Sequence, residues 1–507
     1  MNIKYHKWNK KQRSILSKSC SDILNTKEIQ FFQPYFSLYF HIHNTKNSHK
    51  IIDLNRRYIL KEVLEITNNK YHTSNIFANC KVYDNYKNFQ EEKELFCKCI
   101  PLLDPLYYIM NNYNNFINRN NLLPSCYNYN TFNKINSMNN TAYIDSFLSF
   151  ICSEITNKGL NPSFPIYYGS FNGIKGSYNF DISEDYESIK KEYWFHKNMN
   201  KNKLMVEMYV SSDDSDDSDG SDSDDSDSYI DNDGNDGNGN DDSDGNDGND
   251  GNDDSDDSDD SDTNDYIILL NDIPTQFIFI EKLEGTLEDL LKPIDKLNIE
   301  LILSCIFQVS FALMYLQKYY KFTHNDLHIN NIMYISTEKT YLYYKFNNIY
   351  YKVPTFGYLF KVIDFGRSVF TFHNRLFFND TFEKHGEAEG QYTTPSDHLN
   401  FKGKDKEEIH QNFNFDLCRL AITILDVCEY NNSLNYHNKQ SFVDFIYNMT
   451  LKEDGNSLYD LPDNFNMYIS ISKFASNSLP KNIIQNIIFN QYRIKKKQFP
   501  KKSYYSI

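Results

Sequence analysis

The sequence predicts an α+β protein, β-rich in its earlier part and mostly helical later. Short apolar runs bounded by turn residues recur up to Glu281, and long runs of helical spacing follow at Leu297–Tyr320 and Phe413–Val427. Two acid-bearing segments, 324–331 and 361–366, come after the longer helix with strand-like pieces between them. At 507 residues the chain is long enough for two lobes or several domains.

Residues 1 to about 70 carry weak signals. Ser21 or Asp22 is placed to cap a short helix, and Arg57–Ile66 suits either helix or strand. Leu95–Ile100 is a short apolar run with Lys98 inside it, and Pro101 would stop the strand it predicts. The Asn- and Tyr-rich stretch 109–140 reads as a loop or surface insertion. Over Ala142–Thr156 the residues Ile144, Phe147, Leu148, Ile151, Cys152 and Ile155 recur at helical spacing, and Gly159 fits the stop. Phe164–Gly169, Leu204–Val210, Tyr266–Leu270 and Gln276–Glu281 read as strands. Gly285 breaks the pattern, and Thr286–Leu291 starts a short helix. After the long helix, Tyr341–Tyr344, Ile349–Val353 and Leu359–Ile363 are strand-like. Phe413–Val427 carries Asp416 near its start, and Lys495–Lys502 forms a basic tail.

The formal charge is −17, but 25 Asp and no Lys, Arg or Glu fall within 211–265, so the rest of the chain is at +8. That Ser/Asp/Gly/Asn segment repels itself and has almost nothing apolar to bury, which predicts disorder. It is not a calcium loop of the EF-hand type, because it has no closing Glu and Gly234 comes too early after Asp231. The +8 of the remainder gives a weak bias toward acidic or phosphate-bearing partners, with no direct nucleic-acid contact expected. Nine scattered cysteines without a Cys-x-x-Cys pair predict a reducing, intracellular setting and argue against a zinc site. The stretch from Met1 to Cys20 is polar and basic, unlike a signal peptide. Leu301–Leu316 holds Ser304, Gln308 and Ser310, which predicts a buried helix and no membrane partner. Many Asn, Ile, Lys, Tyr and Phe with few Gly and Pro match an AT-rich genome.

The chemistry lies in His324-Asn325-Asp326-Leu327-His328-Ile329-Asn330-Asn331 followed by Lys361-Val362-Ile363-Asp364-Phe365-Gly366. This is the spacing of a phosphotransferase site. Asp326 can sit beside an attacking hydroxyl, and Asn331 and Asp364 offer oxygen atoms to Mg²⁺, a hard cation. The order of elements resembles the eukaryotic protein-kinase family over roughly residues 90–490. The resemblance implies a bilobal fold with an N-lobe over 71–283, a C-lobe over 284–507 and an N-terminal extension over 1–70. It implies ATP and Mg²⁺ as cofactors and a Ser/Thr hydroxyl of a protein substrate as acceptor. Lys98 would anchor the nucleotide phosphates, and a helix acid, Asp145 or Glu154, would hold that lysine, with Asp145 favoured. Glu281 and Leu283 would flank the nucleotide at a hinge, Glu281-Lys282-Leu283.

Within the family, Leu327-His328 resembles the catalytic loop of haspin-like kinases. The stretch from Tyr344 through Val353-Pro354-Thr355-Phe356-Gly357 to Asp364 is similar to their extended hairpin. Phe415-Asp416-Leu417-Cys418-Arg419-Leu420 resembles the helix whose Asp pins the catalytic loop. Tyr143–Leu148, Lys98–Pro105 and Gly386–Tyr392 look like segments of uncharacterised kinases of large DNA viruses of the mimivirus type, which would place the protein in host cytoplasm or nucleus. The chain departs from the family in four ways. No Gly precedes Gly159, so the Gly-rich phosphate-covering loop is absent; Asn325 replaces an Arg; His328 replaces a catalytic-loop Lys; and no Ala-Pro-Glu closes the segment after Asp364. A neutral His328 imidazole can still hydrogen-bond a transferred phosphoryl group. Two alternatives stand beside a protein kinase. One is a pseudokinase that binds nucleotide without turnover. The other is a small-molecule kinase of the choline or aminoglycoside type, against which Asp416 and the long stretch Arg367–Asn414 speak.

Overall fold

The computed structural model describes residues 3–4, 9–30, 52–68, 73–110, 122–124, 131–183, 185–199, 206–210, 264–292, 298–384, 386–392, 409–430, 440–462 and 465–507. The fold is mixed α+β, with a curled antiparallel sheet in the N-terminal region and helices later. Helix α1 (Lys10–Leu24) precedes β1 (Thr26–Gln30), β2 (Tyr58–Asn68), β3 (Ile76–Asp84) and β4 (Phe89–Pro101). Helix α2 (Thr141–Asn157) leads to β5 (Tyr167–Asp181), β6 (Val206–Val210) and β7 (Asn264–Glu281). The sheet order is β1-β5-β7-β4-β3-β2, and β6 pairs with the start of β7.

Alternation along the strands separates the two faces of this sheet. Ile76, Ala78, Cys80 and Val82 of β3 and Leu95, Cys97 and Cys99 of β4 are buried with Leu16, Cys20 and Leu24 of α1. Lys98, between two inward cysteines, therefore belongs to the opposite face, where its register partner Ile278 packs with α2. The sheet curls until its far strands touch: the Tyr58 and Tyr168 rings are 5.5 Å apart, and Arg56 lies 5.5 Å from the Tyr167 ring centre. Gly169 permits this approach, since a Cβ there would stand 3.0 Å from Arg56 Nη2.

Beyond the sheet come α3 (Leu287–Leu291), α4 (Ile299–Tyr320), β8 (Ile332–Ser336), β9 (Tyr341–Phe346), β10 (Ile349–Pro354) and β11 (Tyr358–Val362). Helices α5 (Phe415–Tyr430), α6 (Gln440–Met449) and α7 (Phe465–Phe474) follow. Strands β8 and β11 pair antiparallel, with β9 and β10 forming a hairpin between them. Its tip, Asn347-Asn348, has φ of 46° and 64°, the left-handed pair that a tight hairpin needs. Helix α4 is the centre of the largest core, with Phe307 and Phe311 against Tyr344 and Phe307 also against Tyr351 and Phe489. It is the one described helix long and apolar enough to cross a membrane, and 89 % of its most apolar window is buried inside the protein.

Several boundaries differ from the sequence reading. The cap of α1 is Asn9, which accepts from the Gln12 N–H, while Ser21 and Asp22 lie in its last turns. Residues before 70 supply α1, β1 and β2 to the sheet. Arg57–Ile66 resolves as strand, and Tyr266–Leu270 and Gln276–Glu281 are one strand, β7. Asp265, placed in the acidic segment by its composition, pairs with Tyr209 in the β6–β7 ladder. The rest of that segment, 211–263, lies outside the described residues, and so does its predicted disorder. Within the basic tail, Lys496–Gln498 forms a 3₁₀ turn, and the chain then adds Tyr505–Ser506 parallel to β9.

Candidate active site

Three side chains from distant elements converge where α2, β4 and the turn after β11 meet. Lys98 Nζ is 2.7 Å from Asp145 Oδ2 and 2.7 Å from Asp364 Oδ1. Asp145 and Ser149, one turn apart on α2, face the same way, and the Ser149 hydroxyl donates to Asp145 Oδ1 at 3.2 Å. The Phe365 N–H approaches the same oxygen at 3.4 Å. Asp364 has φ +60°, a left-handed conformation that Asp tolerates better than most residues, and Gly366 N–H donates to its Oδ1 at 3.3 Å. Burial acts to lower the Lys98 pKa, but the two carboxylates outweigh it and hold the amine firmly charged. Burial acts to raise Asp364, and Lys98 overcomes it, bringing that carboxyl down to about 2. Of the two acids the sequence offered for Lys98, Asp145 makes the contact; Glu154 lies further along α2, 3.7 Å from Lys158.

The trio lines a narrow cleft together with Ser149, Pro165, Ile278, Ile280, Ile363 and Phe365. The lining combines the charged trio and Ser149 with apolar side chains, the mixture common in small-molecule sites. Glu281 and Leu283 are not among its walls. Leu283 is buried, and Glu281 is occupied elsewhere: its Oε2 accepts from Ile166 N–H at 3.1 Å and stands 3.3 Å from Lys361 Nζ. Lys361 is almost wholly buried and also donates to the Phe164 carbonyl at 3.0 Å. Burial lowers its pKa, with Glu281 opposing. This pair ties the end of β7 to β11.

The 324–331 loop lies beside the trio. Ile363 N–H donates to the Asn331 carbonyl at 3.1 Å, and His324 Nε2–H to the Ile363 carbonyl at 2.8 Å. Asp416, fully buried at the start of α5, accepts from the His324 N–H at 2.9 Å and the Asn325 N–H at 3.0 Å. Burial raises its pKa despite these donors and His324. Asn325 has φ +64°, and its side chain bridges the Arg367 carbonyl at 3.0 Å and the Tyr392 hydroxyl at 2.5 Å. Asn331 Nδ2 donates to the Asp326 carbonyl at 2.7 Å and stands 3.0 Å from His328 Nε2, while Asn330 N–H approaches His328 Nδ1 at 3.3 Å. Donors near both ring nitrogens disfavour an imidazolium, and burial lowers the His328 pKa, with Asp326 acting against it.

The carboxylate of Asp326 receives the Tyr468 hydroxyl on Oδ1 at 3.1 Å, with Arg367 Nη1 3.9 Å from the same atom. Neither Tyr468 nor the Lys361–Glu281 pair was foreseen. Lys361 leaves a trace in the sequence, a lysine inside the apolar run Phe360-Lys361-Val362, whereas Tyr468 has no local signature.

The chain matches no family model and no curated protein.

The arrangement offers a fixed ammonium, two carboxylates held against it and a third, Asp326, on the adjoining loop. Among the described residues no group of three or more His, Cys, Asp or Glu side chains could cage a metal ion. Asp364 and Asn331 carry side-chain oxygens of the kind a hard cation takes.

Proposed function

We propose that this chain is an ATP-dependent protein kinase with a bilobal, kinase-like arrangement, transferring the γ-phosphoryl group to Ser/Thr hydroxyls of a protein substrate. The observation that carries the reading is Lys98 joined to both Asp145 and Asp364. Such an ammonium, held by one buried acid, can bind nucleotide phosphates in a cleft that also offers apolar walls. Asp364 and the Asn331 amide oxygen would hold Mg²⁺, which when bound neutralises phosphate charge. Asp326 orients the acceptor hydroxyl and takes its proton. Asp416 fixes the loop that carries Asp326 through the His324 and Asn325 amides. His328, turned toward Asn331, holds that amide in place. Most of the barrier reduction would come from positioning and charge.

One feature favours a second reading, nucleotide binding without transfer: the connection between β2 and β3 contains no glycine to bring backbone amides close to phosphates. The deciding experiment is phosphate transfer from Mg-ATP on a peptide array, with Asp326→Ala as control. Transfer by the wild type and none by the variant supports the kinase. ATP binding with no transfer on any peptide, with any divalent metal, selects the binding module.

A further inference from the structure

Tyr468 belongs to α7, far in sequence from the loop it touches. Met467 and Ile471 turn one side of α7 into a core with Cys418 and Ile422 of α5. The Asn412 side chain fixes the end of α7, donating to the Ile471 carbonyl at 3.3 Å and the Ala475 carbonyl at 2.9 Å. Tyr468 is thereby presented to Asp326 by a packed helix.

Its surroundings leave it little freedom. Arg419 stands 5.0 Å and Arg367 5.9 Å from the ring centre, and Phe415 and Phe465 each lie 6.1 Å away. Arg419 Nε donates to the phenol oxygen at 3.2 Å, so the phenol proton is directed to Asp326 Oδ1. Burial, with Asp326, raises the phenol pKa, which keeps it a donor. Tyr468 and Arg367 both meet Oδ1, and among the described residues no donor reaches Oδ2.

We propose that Tyr468 is a positioning residue for the phosphoryl transfer proposed above: its hydroxyl holds Asp326 Oδ1 so that Oδ2 faces the acceptor. In that step the acceptor oxygen forms its bond to the γ-phosphorus, the bond from that phosphorus to the β,γ-bridging oxygen breaks, ADP leaves with the electron pair, and the acceptor proton passes to Oδ2. A phenol beside a base could instead be a plug that substrate must displace. The two arginines and two rings around it argue for a fixed part.

The inference rests on the kinase reading, and the test separates the two. Wild type and Tyr468→Phe are compared for kcat, for KM of ATP and for melting temperature, on the best peptide of the array. Phe keeps the ring and removes the hydroxyl, which is both the donor to Asp326 and the acceptor from Arg419 Nε. The expected result is a fall in kcat of about tenfold or more, with KM for ATP unchanged and the melting temperature lowered by at most a few degrees through the lost Arg419 bond. A merely structural role would lower the melting temperature without this selective loss of kcat. Wild-type kcat retained in Tyr468→Phe overturns the positioning role, and a raised kcat replaces it with the plug. A wild type that transfers nothing removes the kinase reading and this inference together.

Discussion

Lys98 Nζ and Asp364 Oδ1 form a 2.7 Å ion pair that joins the face of the N-terminal sheet to the turn after β11. The same ammonium serves Asp145. The two acids are unequal: the Asp145 side chain is 4 % exposed and that of Asp364 42 %. Water can solvate Asp364 if the lysine is lost, but it cannot reach Asp145.

Lys98→Met is therefore expected to cost stability as well as nucleotide binding. Leaving a buried carboxylate without its charged donor costs on the order of 1–3 kcal/mol. Urea denaturation should show that loss, and calorimetric titration with Mg-ATP should show weakened binding. The double variant Lys98→Met/Asp145→Leu should recover part of the stability and none of the binding.

Asp364→Asn should leave the protein folded and remove phosphate transfer. The side chain sits at the mouth of a cleft, so no core is disturbed, while an amide supplies no compensating charge to a cation. Turnover is expected to fall by orders of magnitude at saturating Mg²⁺, with an unchanged circular dichroism spectrum. Undiminished transfer by the folded variant would remove the metal role.

The same ion pair predicts an acid dependence. The Asp364 carboxyl is near 3.8 when unfolded and about 2 when folded. A depressed carboxyl pKa contributes stability fully above the unfolded value, and that contribution disappears as pH falls through the folded one. The stability difference between wild type and Asp364→Asn should thus be constant above about pH 4–5 and vanish near pH 2. Urea midpoints across that range measure it; a difference that grows toward low pH contradicts the pairing.

Asp416→Ala should be more damaging than Asp416→Asn. Alanine leaves the buried His324 and Asn325 amides without an acceptor, at a cost of about 1–3 kcal/mol each. The asparagine oxygen can still accept. Thermal melts of the two variants give the order directly.

Replacing 211–263 by a two-residue Asn-Gly turn should preserve the sheet. Val210 and Asn264 are register partners at the end of the β6–β7 ladder, so a tight hairpin can close there. The melting temperature should move by no more than a few degrees; unfolding of the shortened chain would mean that the acidic segment supports the fold.

Periodicity made α2 and α4 legible, but it left Asp145 and Glu154 of α2 both open as the acid for Lys98; the contact at 2.7 Å from Asp145 is a tertiary result. Composition exposed the acidic segment. The continuity of β7 was hidden by Asn271-Asp272-Ile273-Pro274, which reads as a break. The structure tolerates it because β6 pairs with residues 264–268 and β4 with 275–281, so that among the described residues the stretch between lies outside both ladders. Asp272 can take φ +54° and Pro274 can lack its N–H at that gap. The Asn9 to Gln12 cap was visible as Asn-x-x-Gln but stands before a strongly basic stretch without an apolar periodic start. Tyr468 meets Asp326 only through the packing of α7 on α5, a tertiary relationship that no local pattern encodes.

The Lys361–Glu281 pair has a mechanical consequence. Where β7 leaves the sheet and β11 approaches the Asp364 turn, the chain is riveted: Glu281 exchanges both backbone and side-chain bonds with Ile166, and Lys361 adds the Phe164 carbonyl. Prising this corner apart would strand the buried Lys361 ammonium without its carboxylate. The corner therefore clamps β7 to β11 by charge, so the turn that carries Asp364 is anchored to the same sheet that carries Lys98.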